Sequence, residues 1–331
     1  MPENIMHIVF AVDNVYAQHL AVAIASILKN NRGNNLELHV ICDGVNDDNE
    51  KRLCETVNKF EASIIFVQTD AGIFRDFHVS QWITRAAYLR VLIPELISRE
   101  IEKVIYLDCD LAVENNLSGL WDIDINDYHL AAVRDTILTD RLSVLVGKKG
   151  MPYFNSGVML LNLRKWRDDN ITGALLKFIS ENGSKLMYWE QDALNAVLYD
   201  KWLPIHPKWN VVTPMFSEEI RIAYADKDRL MNALKMPHII HYTGREKPWR
   251  CFCRHPQRDK YYEYLQLTPW SGFKPRLVKS NIIDGLKLIA KKISPSLFVA
   301  LKKMVIVNAI NGSGACRYIC KKMQIELNMD I

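Results

Sequence analysis

The sequence has little of what marks several common protein classes. It contains only 14 glycines and 12 prolines among 331 residues, which excludes a collagen-like repeat and argues against wholesale disorder. No stretch of 18 apolar residues occurs, so no segment is predicted to span a membrane. Neither GxGxxG nor GxxxxGK[ST] follows the first apolar segment, which disfavours a dinucleotide-binding fold and a P-loop NTPase.

Cysteine usage predicts a reducing compartment. The chain has seven cysteines, an odd number, and no pair of CxxC units, which makes a zinc ribbon an unlikely interpretation. We therefore expect reduced, mostly buried thiols. The first four residues carry no basic charge, and the apolar run 5–12 contains a histidine and stops at Asp13, so no signal peptide is predicted. These features together predict a cytoplasmic protein.

Charge is unevenly distributed along the chain. The net charge is +4, but residues 270–331 contain eleven lysines and arginines against three acidic residues, which leaves about −4 for residues 1–269. We predict two parts, a globular domain over 1–269 and a basic tail over 270–331. In the tail, residues 282–293 and 297–307 have the pattern of basic amphipathic helices. Such helices lie on anionic membrane surfaces or pack on the core of the protein.

Apolar runs and amphipathic segments alternate at short spacing in the first third of the chain. Strands are expected over 6–12, 36–42 and 62–67, and helices over 17–28 and 46–60. This alternation predicts an α/β fold with a doubly wound, mostly parallel sheet. A further helix is predicted over 84–96; it carries Arg85 and Arg90 and ends near Pro94.

Two aspartates follow the apolar segment 104–107, which reads as a buried strand. Asp108 and Asp110 are separated by one residue, so in an extended chain their side chains point to the same side. Ligands of open α/β sheets bind beyond the carboxyl ends of the strands. Two neighbouring carboxylates repel each other unless a proton or cation lies between them, and hard cations such as Mg²⁺ or Mn²⁺ favour such oxygens. Alternatively, Asp108 and Asp110 lie in a solvated loop or cap a helix and bind no cation.

Polar residues follow other predicted strands or open helices. Asp13 and Tyr16, after the first strand, either hold a nucleoside or serve as a helix cap and a core residue. His241 ends a short strand and precedes Gly244 and Lys247, a set that can complete a metal site and approach a phosphate. Further candidates for binding hydroxyl groups are Asp135, Asn155, Glu190, Gln191 and Asp192.

Taken together, these segments resemble glycosyltransferase family 8, a family of retaining, metal-dependent enzymes of the GT-A type. Within the family they resemble bacterial lipopolysaccharide glucosyl- and galactosyltransferases. The resemblance rests on segments that occur in the family's order over residues 5–270: FAVD (10–13) with Tyr16, YLR (88–90), YLDCD (106–110), FNSG (154–157), NLRKW (162–166), EQDALN (190–195) and HYTGREKPW (241–249).

The resemblance implies a GT-A fold with a helical basic extension, a UDP-hexose donor and a saccharide or lipid-linked acceptor. It implies that Mn²⁺, or Mg²⁺, is held by Asp108, Asp110 and His241. It implies that the residues that bind the donor are Ala11, Asp13, Tyr16, Arg90, Cys109, Gly244 and Lys247. Of these, Gly244 and Lys247 would contact the diphosphate. It places Asp135, Asn155, Glu190, Gln191 and Asp192 around the transferred sugar, with Gln191 nearest the anomeric carbon.

One departure bears on the donor. The family usually has Asp-Gln-Asp where this chain has Glu190-Gln191-Asp192, so the choice between glucose and galactose stays open. We expect retention by attack of the acceptor on the face that UDP leaves, with Glu190 or Asp192 as alternative nucleophiles.

Three other functions compete with hexosyl transfer. A sugar nucleotidyltransferase would need the glycine-rich loop that is missing here. A metal-dependent nucleotide-sugar hydrolase and a non-catalytic carbohydrate-binding protein remain open. Nucleic-acid binding is disfavoured because the basic residues lie in the tail without interleaved aromatics.

Overall fold

The structure is a computed structural model, and it describes residues 5–69, 85–135, 137–138, 140–245, 247–251 and 253–275. By contacts the chain divides into two compact units, Met1–Pro248 with His255–Phe273, and Trp249–Arg254 with Lys274–Ile331. The predicted tail helices lie outside the described residues. All elements described below belong to the first unit, and the division at 269/270 stays a prediction.

Ten strands and eleven α-helices are described in this unit. The strands are β1 Met6–Asp13, β2 Leu36–Asp43, β3 Ser63–Thr69, β4 Lys103–Leu107, β5 Leu111–Val113, β6 Leu130–Arg134, β7 Phe154–Asn162, β8 Trp202–Pro204, β9 Val211–Val212 and β10 Ile239–His241. The helices are α1 Ala17–Asn30, α2 Asp47–Asn58, α3 Ile93–Leu96, α4 Ser118–Trp121, α5 Arg141–Val146, α6 Leu163–Asp168, α7 Ile171–Asn182, α8 Trp189–Leu198, α9 Glu218–Ala223, α10 Lys227–Lys235 and α11 Arg258–Leu265.

A seven-stranded sheet forms the centre, in the order β3-β2-β1-β4-β7-β6-β8. Its neighbouring strands are parallel except where β7 runs antiparallel to β4 and β6. The predicted mostly parallel α/β sheet is therefore confirmed. Strands buried on both faces explain the unbroken apolar runs of β1 and β4, since Ile8 and Val9 are both fully buried but belong to different core clusters.

A second, three-stranded sheet has the order β5-β10-β9, and sequence reasoning found only its β10. In the antiparallel pair of β10 and β5, His241 lies opposite Leu111, the residue that follows Asp110. The link between β4 and β5 is only three residues long and contains both aspartates. This register brings His241 to the carboxyl end of β4.

The segment predicted as one helix over 84–96 is helical over 85–96 and ends at Leu96 as predicted, but it is not a single α-helix. Residues Arg85–Leu92 form a 3-10 helix, and the α-helical turn α3 begins at Ile93. In a continuous α-helix the ring of Pro94 would clash with the carbonyl of Arg90. Pro94 instead occupies the first turn of α3, where its missing N–H costs nothing, so it begins the α-helix rather than ending it. Thr84 lies outside the described residues.

The prediction of mostly buried thiols is only partly right. Cys42 and Cys109 are buried, and burial raises the pKa of Cys42 to about 12. Cys54, Cys251 and Cys253 are only half-buried. Cys54 lies on α2 next to the buried Leu53, but at the edge of the helix face that contacts the core.

The longest helix in the described part of the chain is α1, with 14 residues. No described helix combines the length and the hydropathy that crossing a bilayer requires.

Candidate active site at the carboxyl end of the central sheet

Asp108, Asp110 and His241 converge on one point where the two sheets meet. One possible ligand atom from each residue lies within 4.8 Å of the others. The Nε2 atom of His241 is 3.1 Å from Asp110 Oδ1 and 3.6 Å from Asp108 Oδ2. His241 is buried, while the two carboxylates keep some contact with solvent. The structure thus brings together the three residues predicted to hold a metal.

Asn210 fixes the orientation of the His241 ring. Its Oδ1 lies 2.9 Å from His241 Nδ1, and it is fully buried just before β9. Because an amide oxygen only accepts hydrogen bonds, the proton of the neutral ring belongs on Nδ1. The lone pair of Nε2 then faces the two carboxylates, as a metal ligand requires.

Gly157 leaves the space into which these residues fit. It lies on β7 next to β4, and its carbonyl accepts a hydrogen bond of 2.8 Å from the backbone N–H of Asp108. A Cβ added to Gly157 would lie 2.2 Å from His241 Cε1 and 2.5 Å from Asp108 Oδ2. Any side chain at this position would therefore displace two of the three converging residues.

Two cationic side chains balance the carboxylates. Arg90 forms an ion pair of 2.8 Å with Asp108, which also accepts a hydrogen bond from the hydroxyl of Tyr106. Lys247 contacts Asp110 and donates to the carbonyl of Tyr242 at 2.6 Å. Burial alone would raise the pKa of Asp110, but Lys247 and His241 outweigh it and hold that pKa below its usual range. Asp110 is therefore ionised at neutral pH.

Gln191 connects the start of α8 to the start of β7. Its Oε1 accepts hydrogen bonds from the backbone N–H of Ser156 at 3.0 Å and from Asn155 Nδ2 at 3.2 Å. Asn155 Oδ1 in turn accepts from Asn210 Nδ2 at 2.8 Å. A continuous hydrogen-bonded path therefore runs from His241 through Asn210 and Asn155 to Gln191.

Glu190 is buried beside Arg90. Its Oε1 lies 3.5 Å from Arg90 NH1, whereas its Oε2 has no hydrogen-bond partner among the described residues. Burial raises the pKa of Glu190 to about 7, although the nearby Arg90 opposes this. Burying a carboxylate oxygen without a hydrogen-bond partner costs free energy. Such an oxygen is typical of a group that binds a ligand.

Asp192 differs from Glu190, because its carboxylate is fully engaged by the protein. Arg141 binds it through NH2 at 2.6 Å, and the Tyr153 hydroxyl donates to it at 2.8 Å. The backbone N–H groups of Met187 and Tyr188 donate to it as well. These contacts anchor the segment that leads into α8, in which Trp189 has the unusual φ of 44°.

The predicted nucleoside residues lie at the end of β1, next to β4. Asp13 Oδ1 accepts from the backbone N–H groups of Val15 and Tyr16, both at 3.0 Å, so it closes the turn into α1. The thiol of Cys109 donates to the carbonyl of Ala11. These contacts hold the ends of β1 and β4 side by side.

Two predicted residues lie in loops around this centre. Asp135 follows β6 and accepts from the backbone N–H of Ile137 at 2.9 Å; burial raises its pKa. Gly244 follows β10 with φ of 72°, a left-handed conformation that favours glycine. Among the described residues, no atom lies within 4 Å of the Cβ that a side chain would add there, so in this part of the chain the backbone is open to close approach.

The converging residues suit a hard divalent cation. Two carboxylates and one imidazole whose Nε2 lone pair faces them are a donor set that Mn²⁺ and Mg²⁺ accept, with further positions left for a ligand's oxygens. The crowding at Gly157 and the hydrogen bond from Asn210 keep the three donors close together before any ligand binds.

Similarity to known proteins agrees with this geometry. The family model for Glycosyl transferase family 8 matches residues 7–253, about three quarters of the chain. The chain belongs to glycosyltransferase family 8. It therefore is a glycosyltransferase, and members of this family use a UDP-sugar donor and a divalent metal.

Individual relatives of this glycosyltransferase cover most of its length. General stress protein A of Bacillus subtilis is 39% identical, over 81% of this chain and 96% of its own length. Lipopolysaccharide 1,2-glucosyltransferase of Escherichia coli K12 is 27% identical, over 84% of this chain and 82% of its own. The solved structure of the galactosyltransferase LgtC, with donor and acceptor sugar analogs, has a TM-score of 0.73 at 24% identity and covers 83% of this chain and 98% of LgtC. That likeness supports the fold assignment.

Sequence reasoning missed three residues of the candidate site. Asn210 and Ser156 contact predicted residues directly, and Tyr106 bonds to Asp108. Tyr106 precedes Asp108 by two residues, so in an extended chain both side chains point to the same side. Ser156 lies between Asn155 and Gly157. These positions in the sequence could have indicated both residues. The sequence contains no signal for Asn210, because this residue lies 31 residues before His241, between two short elements.

Proposed function

We propose that this chain transfers a hexose from a UDP-sugar to a saccharide acceptor of a cell-surface glycan, with retention of the anomeric configuration. The observation that carries the proposal is the convergence of Asp108, Asp110 and His241 beside Lys247, at the end of the sheet where such ligands bind. Arg90 contacts Glu190, and Ser156 contacts Gln191. The sugar, which is attached to the diphosphate, would lie beside Glu190 and Gln191.

Asp108, Asp110 and His241 are the residues that would hold the cation. When bound, the cation supplies Lewis-acid neutralisation of the negative charge that develops on the diphosphate. Lys247 adds a positive charge to the same end of the site, and we propose that it moves from Asp110 to the diphosphate when the donor binds. Gly244 allows the backbone to approach the phosphates.

We propose that the uridine moiety binds at the end of β1, against Ala11, Asp13 and Tyr16, with Cys109 behind it. Asp13 closes the turn that presents Tyr16 at the start of α1. Arg90 binds Asp108 and Ser156 together, and so fixes the metal end of the site relative to the sugar end.

The sugar is proposed to lie among Asp135, Asn155, Glu190 and Gln191. The amide oxygen of Gln191 already accepts hydrogen bonds from Asn155 and Ser156, which makes it a poor nucleophile. Asp192 is bound by Arg141 and Tyr153, so we assign it to positioning α8. Glu190, with one unpartnered oxygen, would accept a hydrogen bond from a sugar hydroxyl.

Retention then follows from attack by the acceptor hydroxyl on the face that UDP leaves. The bond from the anomeric carbon to the phosphate oxygen breaks, the bond to the acceptor oxygen forms, and the acceptor proton passes to the departing phosphate. Proton resonances of the newly formed glycosidic bond report the configuration, and an inverted product would contradict this mechanism.

The donor hexose and the acceptor are inferred from relatives. The relatives named lipopolysaccharide 1,2-glucosyltransferase and lipopolysaccharide 1,3-galactosyltransferase support glucose or galactose as the sugar and a surface glycan as the acceptor. Glu190 has one methylene group more than the aspartate usual in the family. We propose that this difference affects whether glucose or galactose fits the site.

The test is UDP release from a panel of UDP-sugars, with and without Mn²⁺. We expect slow Mn²⁺-dependent hydrolysis of UDP-glucose or UDP-galactose, accelerated by the right acceptor, and a loss of about 100-fold or more in Asp110→Asn. Asp127→Asn, an exposed carboxylate near β6, is the matched control. UDP binding without turnover on any acceptor would favour a carbohydrate-binding protein. Turnover that no acceptor accelerates would favour a hydrolase.

We further propose that the basic segment 270–331 attaches the catalytic domain to the inner face of the cytoplasmic membrane. Its support is the net charge of +8 and the amphipathic pattern of 282–293 and 297–307. Flotation with vesicles containing anionic lipid tests this, with neutral vesicles as the control. Equal recovery with both kinds of vesicle would contradict it.

A further inference from the structure

A second cluster of metal-ligating side chains lies at the opposite, amino end of the central sheet. His7 on β1 is the register partner of Glu37 on β2, and His39 follows Glu37 by two residues on the same face. Asp13, at the carboxyl end of β1, follows His7 by six positions, a distance of about 20 Å along the strand. The cluster is therefore separate from the glycosyltransferase site.

The three side chains direct one atom each toward a common point. His7 Nδ1 lies 3.1 Å from Glu37 Oε1, His39 Nε2 lies 3.0 Å from the same oxygen, and the two nitrogens are 3.2 Å apart. The three atoms thus form a nearly equilateral triangle. Zn²⁺ binds nitrogen and oxygen ligands at about 2.0–2.2 Å in a tetrahedron, whose edges are then about 3.3–3.6 Å. The observed triangle is close to one face of that tetrahedron.

An ordinary histidine–carboxylate hydrogen bond would not need this triangle. At His129 and Asp169 the structure has such a pair, with Nε2 and Oδ2 at 2.7 Å, and no third ligand atom of a described residue joins them. At the amino-end cluster, by contrast, two imidazole nitrogens face each other as well as the carboxylate. Two neutral imidazoles and one ionised carboxylate carry a net charge of −1, which a cation would neutralise.

The cluster is partly open to solvent, and no lysine or arginine among the described residues forms an ion pair with Glu37. Glu37 and His7 keep 30% and 17% of their side-chain surface exposed, whereas His39 keeps 5%. Within the described residues the ion pairs of Glu37 are those with the two histidines. A fourth coordination position would therefore face solvent and take water.

We propose that His7, Glu37 and His39 bind one Zn²⁺ at the amino end of the sheet and thereby tie β1 to β2. Two imidazoles with one carboxylate are a common donor set for zinc, whereas two carboxylates with one imidazole, as at Asp108, Asp110 and His241, suit Mn²⁺ or Mg²⁺ better. The two strands are joined by α1, so the ion would cross-link the amino ends of both strands of the first β-α-β unit.

The experiment is a Zn²⁺ titration of the full chain after removal of metal with EDTA. Competition with a chromophoric chelator gives affinity and stoichiometry for wild type, His7→Gln, Glu37→Gln and Asp110→Asn. We expect wild type and Asp110→Asn to bind one Zn²⁺ ion at this cluster with the same affinity. In His7→Gln and Glu37→Gln the affinity for that ion should fall by more than about 100-fold. Both of the latter positions are partly exposed, and circular dichroism verifies that the variants fold.

Cobalt substitution adds a spectroscopic readout. Co²⁺ in a four-coordinate site absorbs visible light strongly, whereas in a six-coordinate, oxygen-rich site it absorbs weakly. We expect the strong band in wild type, Asp110→Asn and the control His129→Gln, and its loss in His7→Gln and Glu37→Gln. The proposal is overturned if His7→Gln binds as much Zn²⁺ as wild type with the same affinity. It is equally overturned if the strong band is absent from wild type or persists in both cluster variants.

Discussion

Two clusters of ligand atoms lie at opposite ends of the same sheet, and they differ in both donors and surroundings. At the carboxyl end, Asp108, Asp110 and His241 are flanked by the cations Arg90 and Lys247. At the amino end, His7 and His39 share the single carboxylate of Glu37. The first cluster lies where the chain leaves β4, whereas the second lies within paired strands.

The difference suits two different kinds of ligand. The proposed diphosphate site needs positive charge beyond that of its metal, and Lys247 and Arg90 would supply it. A site that only holds a cation between two strands needs donors alone. The position in the fold agrees with this, because the ends of parallel strands open onto loops such as the one that carries Gly244, whereas paired strands offer a fixed register.

The substitution Gly157→Ala should break the carboxyl-end site and leave the amino-end cluster intact. The added Cβ would displace His241 and Asp108, so we expect the rate of UDP release to fall by about 100-fold or more. Overpacking should also lower the free energy of unfolding by about 1–3 kcal/mol. Gly183→Ala is the matched control, because no atom of the described residues lies within 4 Å of the Cβ it would add. Full activity of Gly157→Ala would show that these side chains do not need their present positions.

Asn210→Ala should weaken the same site through the orientation of His241. Without the acceptor at 2.9 Å the imidazole can adopt the other tautomer, so we expect the apparent affinity for Mn²⁺ to fall by about 10–100-fold. Saturating Mn²⁺ should restore most of the rate, and Asn210→Asp, which keeps an acceptor, should be less impaired. Titrations of UDP release with Mn²⁺ measure this, with the exposed Asn232→Ala as control. An unchanged Mn²⁺ requirement in Asn210→Ala would contradict the assigned role.

Glu190→Gln should alter the pH dependence of stability. The pKa of Glu190 is raised to about 7 in the folded protein, from an ordinary value near 4.5, mainly by burial. Its protonated form is therefore favoured on folding, and this contribution is present below pH 4.5 and is lost as the pH rises through 7. Between pH 5 and pH 8 the wild type should lose on the order of 1–3 kcal/mol of unfolding free energy relative to Glu190→Gln. Urea denaturation at both pH values measures the difference, and parallel stability curves would contradict the assignment.

Much of the fold was predictable because long apolar runs define strands that are buried on both faces. The strands β1, β2 and β4 and the helix α1 were found in this way. The antiparallel direction of β7 was not, since an apolar run does not encode its direction. The short strands β5 and β9, of three and two residues, carry too little pattern to detect. The helix over 84–96 was predicted in extent, but its division into the 3-10 helix Arg85–Leu92 and the α-helical turn α3 was not.

The candidate site was predictable to the extent that its residues lie in recognisable segments. Asp108, Asp110 and His241 each follow or end an apolar strand, and the structure brings them together. Asn210 was missed because it is near His241 only through the pairing of β9 with β10. The amino-end cluster was missed for a similar reason. Glu37 and His39 share a face by their spacing of two, but only the register of β1 against β2 adds His7.

The most direct test of the glycosyltransferase site is a crystal structure with UDP and Mn²⁺ bound. We predict Mn²⁺ between Asp108, Asp110 and His241, the diphosphate on the same ion, and the ammonium group of Lys247 on the diphosphate instead of on Asp110. UDP bound away from Asp108 and Asp110, or Mn²⁺ bound without His241, would contradict the central claim.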